Sequence, residues 1–97
     1  MQYNFEWDPT KAKSNFRKHK ISFERASEIF LDPLMLSVFD ETHSTNEDRW
    51  ITLGKDRSNV TIVVVHSFRE IAPDDSTIRI ISARRATKRE DKQYNLR

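Results

Sequence analysis

The chain has 97 residues, a net charge of +2, no cysteine and a single glycine, Gly54. That length admits one domain, spanning residues 1–97, with one core, and the lack of cysteine excludes disulfides and thiolate metal sites, in keeping with a cytoplasmic setting. The N-terminus has neither a basic start nor a long apolar run, so no signal peptide is expected. The longest apolar run, Ile62 to Val65, is too short to span a bilayer.

Asp8-Pro9-Thr10 opens the first predicted helix, with Asp8 as the cap and Pro9 at a position where its missing N–H needs no partner. Ala12, Phe16 and His19 make a narrow stripe among Lys11, Lys13, Arg17 and Lys18, the pattern of a surface helix. Ser22 caps a second helix carrying Phe23, Ala26, Ile29 and Phe30, which Pro33 ends. Leu34 to Phe39 reads as the first strand, Asp40 to Asp48 as an acidic connection, and Arg49 to Leu53 as the second strand. Gly54 to Asn59 is a turn. Val60 to Phe68, apolar on both faces, is the third strand, and Glu70 to Ser76 is a loop. Thr77 to Arg84 is the fourth strand. Thr87 and Glu90 form a capping box that starts the last helix near Lys88. The expected fold is α+β: two N-terminal helices, a four-stranded, mostly antiparallel sheet and a C-terminal helix, with the helices covering one face.

Charge is distributed unevenly. Residues 1–23 carry net +3, residues 24–48 net −6, and residues 77–97 net +5. A polyanion is drawn to the two ends and repelled by the middle. The C-terminal excess gathers where an apolar strand, Ile78 to Ala83, delivers Arg84 and Arg85 to the start of a helix bearing Lys88 and Arg89. Guanidinium groups bind phosphate oxygens through a planar fork of donors. The competing reading is a solvated strand end followed by a charged surface helix.

With that element order the chain resembles the BrnT toxin family, toxins of BrnT/BrnA modules with a RelE-like ribonuclease fold. The resemblance rests on Phe5-Glu6-Trp7-Asp8-Pro9, Lys18-His19, Phe30-Leu31-Asp32-Pro33, Arg49 to Gly54, Val63 to His66, and Ile78 to Thr87 followed by Glu90 to Tyr94. It implies a metal-independent endoribonuclease that arrests growth and is neutralised by a small BrnA-like antitoxin with a ribbon-helix-helix DNA-binding domain. It also implies a heterotetramer of two toxins and two antitoxins that touches DNA only through the antitoxin. The 70–76 loop departs from the family pattern.

Metal-free RNA cleavage uses the neighbouring 2′-hydroxyl as nucleophile and yields a 2′,3′-cyclic phosphate and a 5′-hydroxyl. It needs a base, an acid and cations for the charge on the phosphoryl oxygens. His66, after a buried run at a strand end, is the base or acid candidate; it also reads as a structural histidine bonded to a neighbouring strand. Arg79, Arg84 and Arg85 are the phosphate candidates. Straight-strand alternation puts Arg79 and Arg85 on one face and Arg84 on the other. Tyr94 could stack on a base, act as an acid or simply pack. Lys18, His19, Lys88 and Arg89 are candidates for RNA contacts. Trp7 and Trp50 read first as core residues, and His43 as a surface group. Asp40, Glu41, Glu47 and Asp48 are loop carboxylates without paired histidines, so neither a metal nor another cofactor is expected. The alternative to a nuclease is a non-catalytic module that holds nucleic acid or a protein partner.

Overall fold

In the computed structural model, which describes residues 2–43 and 48–96, the chain opens with a strand, β1 (Gln2–Glu6), where none was expected. Helix α1 (Pro9–His19) follows, capped by Asp8, whose carboxylate accepts from the Thr10 N–H at 2.8 Å. Helix α2 (Phe23–Ser27) is capped by Ser22 and runs into a 3-10 turn at Glu28–Leu31. Strands β2 (Leu36–Phe39), β3 (Arg49–Lys55), β4 (Thr61–Ala72) and β5 (Asp75–Arg85) lead to helix α3 (Lys88–Asn95). The capping box at Thr87 and Glu90 forms as expected. The segment 44–47 of the acidic connection lies outside the described residues.

The sheet has five strands in the order β1-β5-β4-β3-β2 and is mixed. Strands β2 to β5 form the antiparallel meander, and β1 adds in parallel along β5. The four-stranded antiparallel expectation therefore lacked its edge. A five-residue strand whose partner lies at the far end of the chain leaves no local turn signal. It is fixed by side chains: Asn4 donates from Nδ2 to Asp75 at 2.6 Å, across 71 residues of sequence.

The expected 70–76 loop is mostly strand. β4 continues to Ala72, β5 starts at Asp75, and Pro73-Asp74 alone makes the turn, with Asp74 in the left-handed region at φ 63. Proline in a run usually marks a break; here it sits at the tip of a long hairpin.

The helices do not share one face. Against α1, α2 and the 3-10 turn, the sheet buries Ile62, Val64, Ile78, Ile80 and Ala83 with Ile21, Phe23, Ala26, Ile29 and Phe30. On the other face, α3 covers one end only, where Tyr94 packs with Leu53 and Val63. The stripe expected on α1 also shifts. Phe16 is 49% exposed, whereas Asn15 is buried and turned to the sheet. Gly54 lets β3 approach the 3-10 turn, since a Cβ there would lie 2.9 Å from the Ile29 Cβ.

A bulge in β5 governs where the arginines point. Val65 pairs with Ser82 and His66 with Ile80, so Ile81 is the extra residue. Directly paired residues share a face, and β4 alternates without interruption from Ile62 to Arg69. Arg79, opposite Ser67, and Arg84, opposite Val63, therefore share one face; Arg85, opposite Ile62, lies on the core-helix side. This reverses the grouping expected from a straight strand.

Candidate functional site

Beyond the reach of α3, the second face of the sheet carries a polar row. Arg49, Ser67, Arg79 and Glu6 stand side by side on β3, β4, β5 and β1. Neighbouring strands lie about 4.8 Å apart, so Arg79 has Ser67 on one side and Glu6 on the other within side-chain reach. Arg69 opposes Thr77 in the next outward row. Glu6, Asp48, Ser67, Arg69, Thr77 and Arg79 line a cleft of about 530 Å³. Ser67 and Thr77 are buried beneath it, while Arg69, Arg79, Glu6 and Asp48 are exposed.

The arginines differ in what engages them. Arg84 makes a two-pronged pair with Glu90, at 2.8 and 2.9 Å. That pair raises the guanidinium's pKa and, with the Thr87 N–H, holds the Glu90 carboxyl down at about 2. Arg84 thus pins the start of α3 to β5. Among the described residues, no hydrogen bond or ion pair engages the side chains of Arg79, Arg69 or Arg85. Among the described residues, Arg79 is therefore the arginine of the predicted set that is both unengaged and on the part of the sheet that no helix covers. Arg85 lines a separate depression with Lys55, Thr61 and Lys88.

His66 lies on the opposite face and is 3% exposed. Its Nε2 is 2.7 Å from the Thr52 hydroxyl, which in turn is 2.8 Å from that of Ser37, and its ring meets Phe30 edge-on at 4.9 Å. Burial drives its pKa down to about 4, against a weaker opposing effect of the Ser67 carbonyl. The placement matches the structural reading of this residue, bonded across to β3. It borders an apolar recess of about 200 Å³ lined by Tyr3, Phe30, Met35, Trp50 and Phe68.

Tyr94 is also buried, and its hydroxyl donates to Asp32 at 2.5 Å. Burial raises the Asp32 pKa, but this bond and the N–H groups of Lys55 and Leu34 outweigh it and leave the pKa lowered. Lys18 and His19 are exposed in the last turn of α1, where positive charge suits the helix dipole. Lys88 and Arg89 are exposed in the first turn of α3. Trp7 meets Phe23 edge-on at 6.0 Å and Trp50 meets Phe39 at 5.2 Å, both half-buried. The predicted residues are thus not gathered into one cluster. Arg79 stands at the cleft, Arg84 shares its face some 13 Å further along β5, and His66 and Arg85 face away.

A model of the family described as "Ribonuclease toxin, BrnT, of type II toxin-antitoxin system" matches residues 7–90. The chain belongs to the BrnT toxin family. It is thus one of the ribonuclease toxins of type II toxin–antitoxin systems, a class defined by an antitoxin partner. The solved structure of the Brucella abortus ribonuclease toxin BrnT is similar in fold, with a TM-score of 0.61 and 21% identity, covering 91% of this chain and all of that one. A search of curated protein sequences returned no match. No helix among the described residues of this BrnT-family toxin is long and apolar enough to cross a membrane.

Glu6, Asp48, Arg49 and Arg69 were missed as site residues in the BrnT-family sequence. Glu6, Asp48 and Arg49 sit at or beside a strand end, where a lone charge is ordinary; Arg69 falls just past the expected end of its strand, which runs on to Ala72, and β1 itself was not foreseen. Once β1 is paired with β5, Glu6 falls opposite Arg79.

Proposed function

We propose that this toxin is a one-domain, metal-independent endoribonuclease whose substrate strand lies across the uncovered face of the sheet. The observation that carries the reading is Arg79: exposed, unengaged among the described residues, and set beside Arg69 in an open cleft with carboxylates at its rim. Its guanidinium would hold the scissile phosphate and neutralise the charge that develops on the phosphoryl oxygens. Attack by the adjacent 2′-hydroxyl gives a cyclic phosphate and a 5′-hydroxyl, so RNA supplies its own nucleophile. Arg84, Arg85, His66 and Tyr94 then act on the scaffold or away from the scissile bond, and Lys88 and Arg89 extend the cationic track. Loss of intact RNA stops translation and growth in the cytoplasm.

The partner in this reading is a ribbon-helix-helix antitoxin. Its dimerisation joins two toxins into a heterotetramer and supplies the DNA contact. Purified toxin incubated with single-stranded RNA in EDTA tests the chemistry. The expected outcome is cleavage to cyclic-phosphate ends. A magnesium requirement or 5′-phosphate ends would rule out this mechanism, and binding without cleavage would leave a non-catalytic module.

A further inference from the structure

Building on the nuclease reading above, we propose that Glu6 is the general base that takes the 2′-hydroxyl proton, working in tandem with Arg79. The two residues are directly paired across the parallel β1–β5 ladder and point to the same uncovered face. Their Cα atoms are separated by one inter-strand spacing, about 4.8 Å, so one nucleotide can touch both side chains. In RNA the 2′-hydroxyl and its 3′-phosphate are neighbours, and a carboxylate beside a guanidinium matches that pair of groups.

The other acids near this face are committed or less well placed. Glu90 is bonded to Arg84, and Asp75 accepts from Asn4. Asp48 precedes β3 and lies outside the ladder, while Glu6 carries no side-chain bond among the described residues. The backbone at Glu6 is also held from both sides. It is the last residue of β1; Trp7 beyond it packs on Phe23, and Asp8 caps α1. The strand thus fixes where the base is anchored, while its exposed carboxylate, unbonded among the described residues, is left available to the substrate.

The proton and bond changes balance. Glu6 accepts the proton as the 2′-oxygen bonds to phosphorus. The bond from phosphorus to the 5′-oxygen breaks, and that oxygen takes a proton from water. Glu6 later returns its own proton to solvent. Arg79 stays charged throughout and bonds the phosphoryl oxygens.

The test uses the full chain and a defined single-stranded RNA in EDTA. Glu6→Gln keeps the shape and removes the base. It is expected to lower kcat about 10²–10⁴-fold, with the melting temperature and the affinity for a fully 2′-O-methylated copy of the RNA unchanged. Glu6→Asp should retain part of the rate. A folded Glu6→Gln protein that cleaves within threefold of the parent overturns the proposal while leaving the nuclease reading intact. A parent that binds RNA and never cuts it overturns both. Should Glu6→Gln fail to fold, the parent's pH–rate profile decides. An acid limb in the range of carboxylates that persists in Asp48→Asn supports Glu6, and one in the range of imidazoles, or one lost with Asp48, overturns it.

Discussion

The side-chain amide of Asn15 takes the place of a strand against Ala83. Its Nδ2 donates to the Ala83 carbonyl at 2.8 Å, and its Oδ1 accepts from the Ala83 N–H at 3.1 Å. β1 covers the edge of β5 only as far as Arg79, so the edge beyond would otherwise be open. Nδ2 also reaches the Ile21 carbonyl, tying the end of α1 to the same point. Asn15→Leu would leave buried backbone groups unsatisfied, each at about 1–3 kcal/mol. A loss on the order of 3 kcal/mol in urea unfolding is expected; a loss below about 1 kcal/mol would show that water replaces the amide.

Gly54→Ala is expected to destabilise by about 1–3 kcal/mol. The added methyl would press on the Ile29 Cβ at 2.9 Å and on its carbonyl at 3.1 Å. Thermal melting measures the effect, and an unchanged midpoint would mean that the 3-10 turn gives way freely.

Stability should fall on acidification through the ordinary histidine range. His66 has its folded pKa lowered from 6.5 to about 4, so the unfolded chain binds the proton more readily. Its contribution is full above pH 6.5 and is lost as pH falls toward 4. The size is on the order of 3 kcal/mol. Asp32, Glu90 and Asp56, the last with its burial outweighed by the bonds it accepts from the Val60 N–H and from Arg25, have lowered carboxyl pKa values, so their contributions are lost further down, below their ordinary 3.8 to 4.5. Melting midpoints between pH 7 and 5 isolate the histidine. His66→Gln should flatten that part of the curve, and an unflattened curve would assign the slope elsewhere.

Arg79→Ala should reduce RNA cleavage about 10²–10³-fold, the cost of losing one charge-stabilising donor, with no change in circular dichroism. Arg85→Ala should stay within a few-fold of the parent, because the bulge turns Arg85 to the other side of the sheet. The reverse ranking would move the reaction to the strand end beside Lys88.

An acidic antitoxin segment is expected to dock on the cations at the start of α3. Charge reversal at Lys88 and Arg89 together should slow association and weaken the complex more than reversal at Lys11 and Lys13, and added salt should narrow the difference. Arg84 is left unchanged in this test because its pair with Glu90 holds α3 in place. Equal affinities for both double variants would place the antitoxin elsewhere.

Elements marked by caps and apolar patterning were legible in the sequence. Asp8, Ser22 and the Thr87–Glu90 box start their helices as read, and the core strand around Val63 and Val64 is where its β-branched run puts it. What escaped depends on long-range pairing. β1 has no meaning without β5, and the surplus residue Ile81 is visible only in the ladder with β4. Those two features fix the candidate site, since the first brings Glu6 beside Arg79 and the second decides which arginines share its face. Arg79 could be nominated from its residue type, whereas its neighbours could not.

The parallel pairing of the first strand with the last has a consequence for biosynthesis. Residues 2–6 can be seated only after β5 has been synthesised. Closing so long a loop is a late and comparatively slow step in folding. The cleft beside Arg79 therefore gains its Glu6 wall only once β5 has emerged. A nascent copy that stops before β5 has neither Arg79 nor a seat for Glu6, so the pairing that builds the candidate cleft is missing from it.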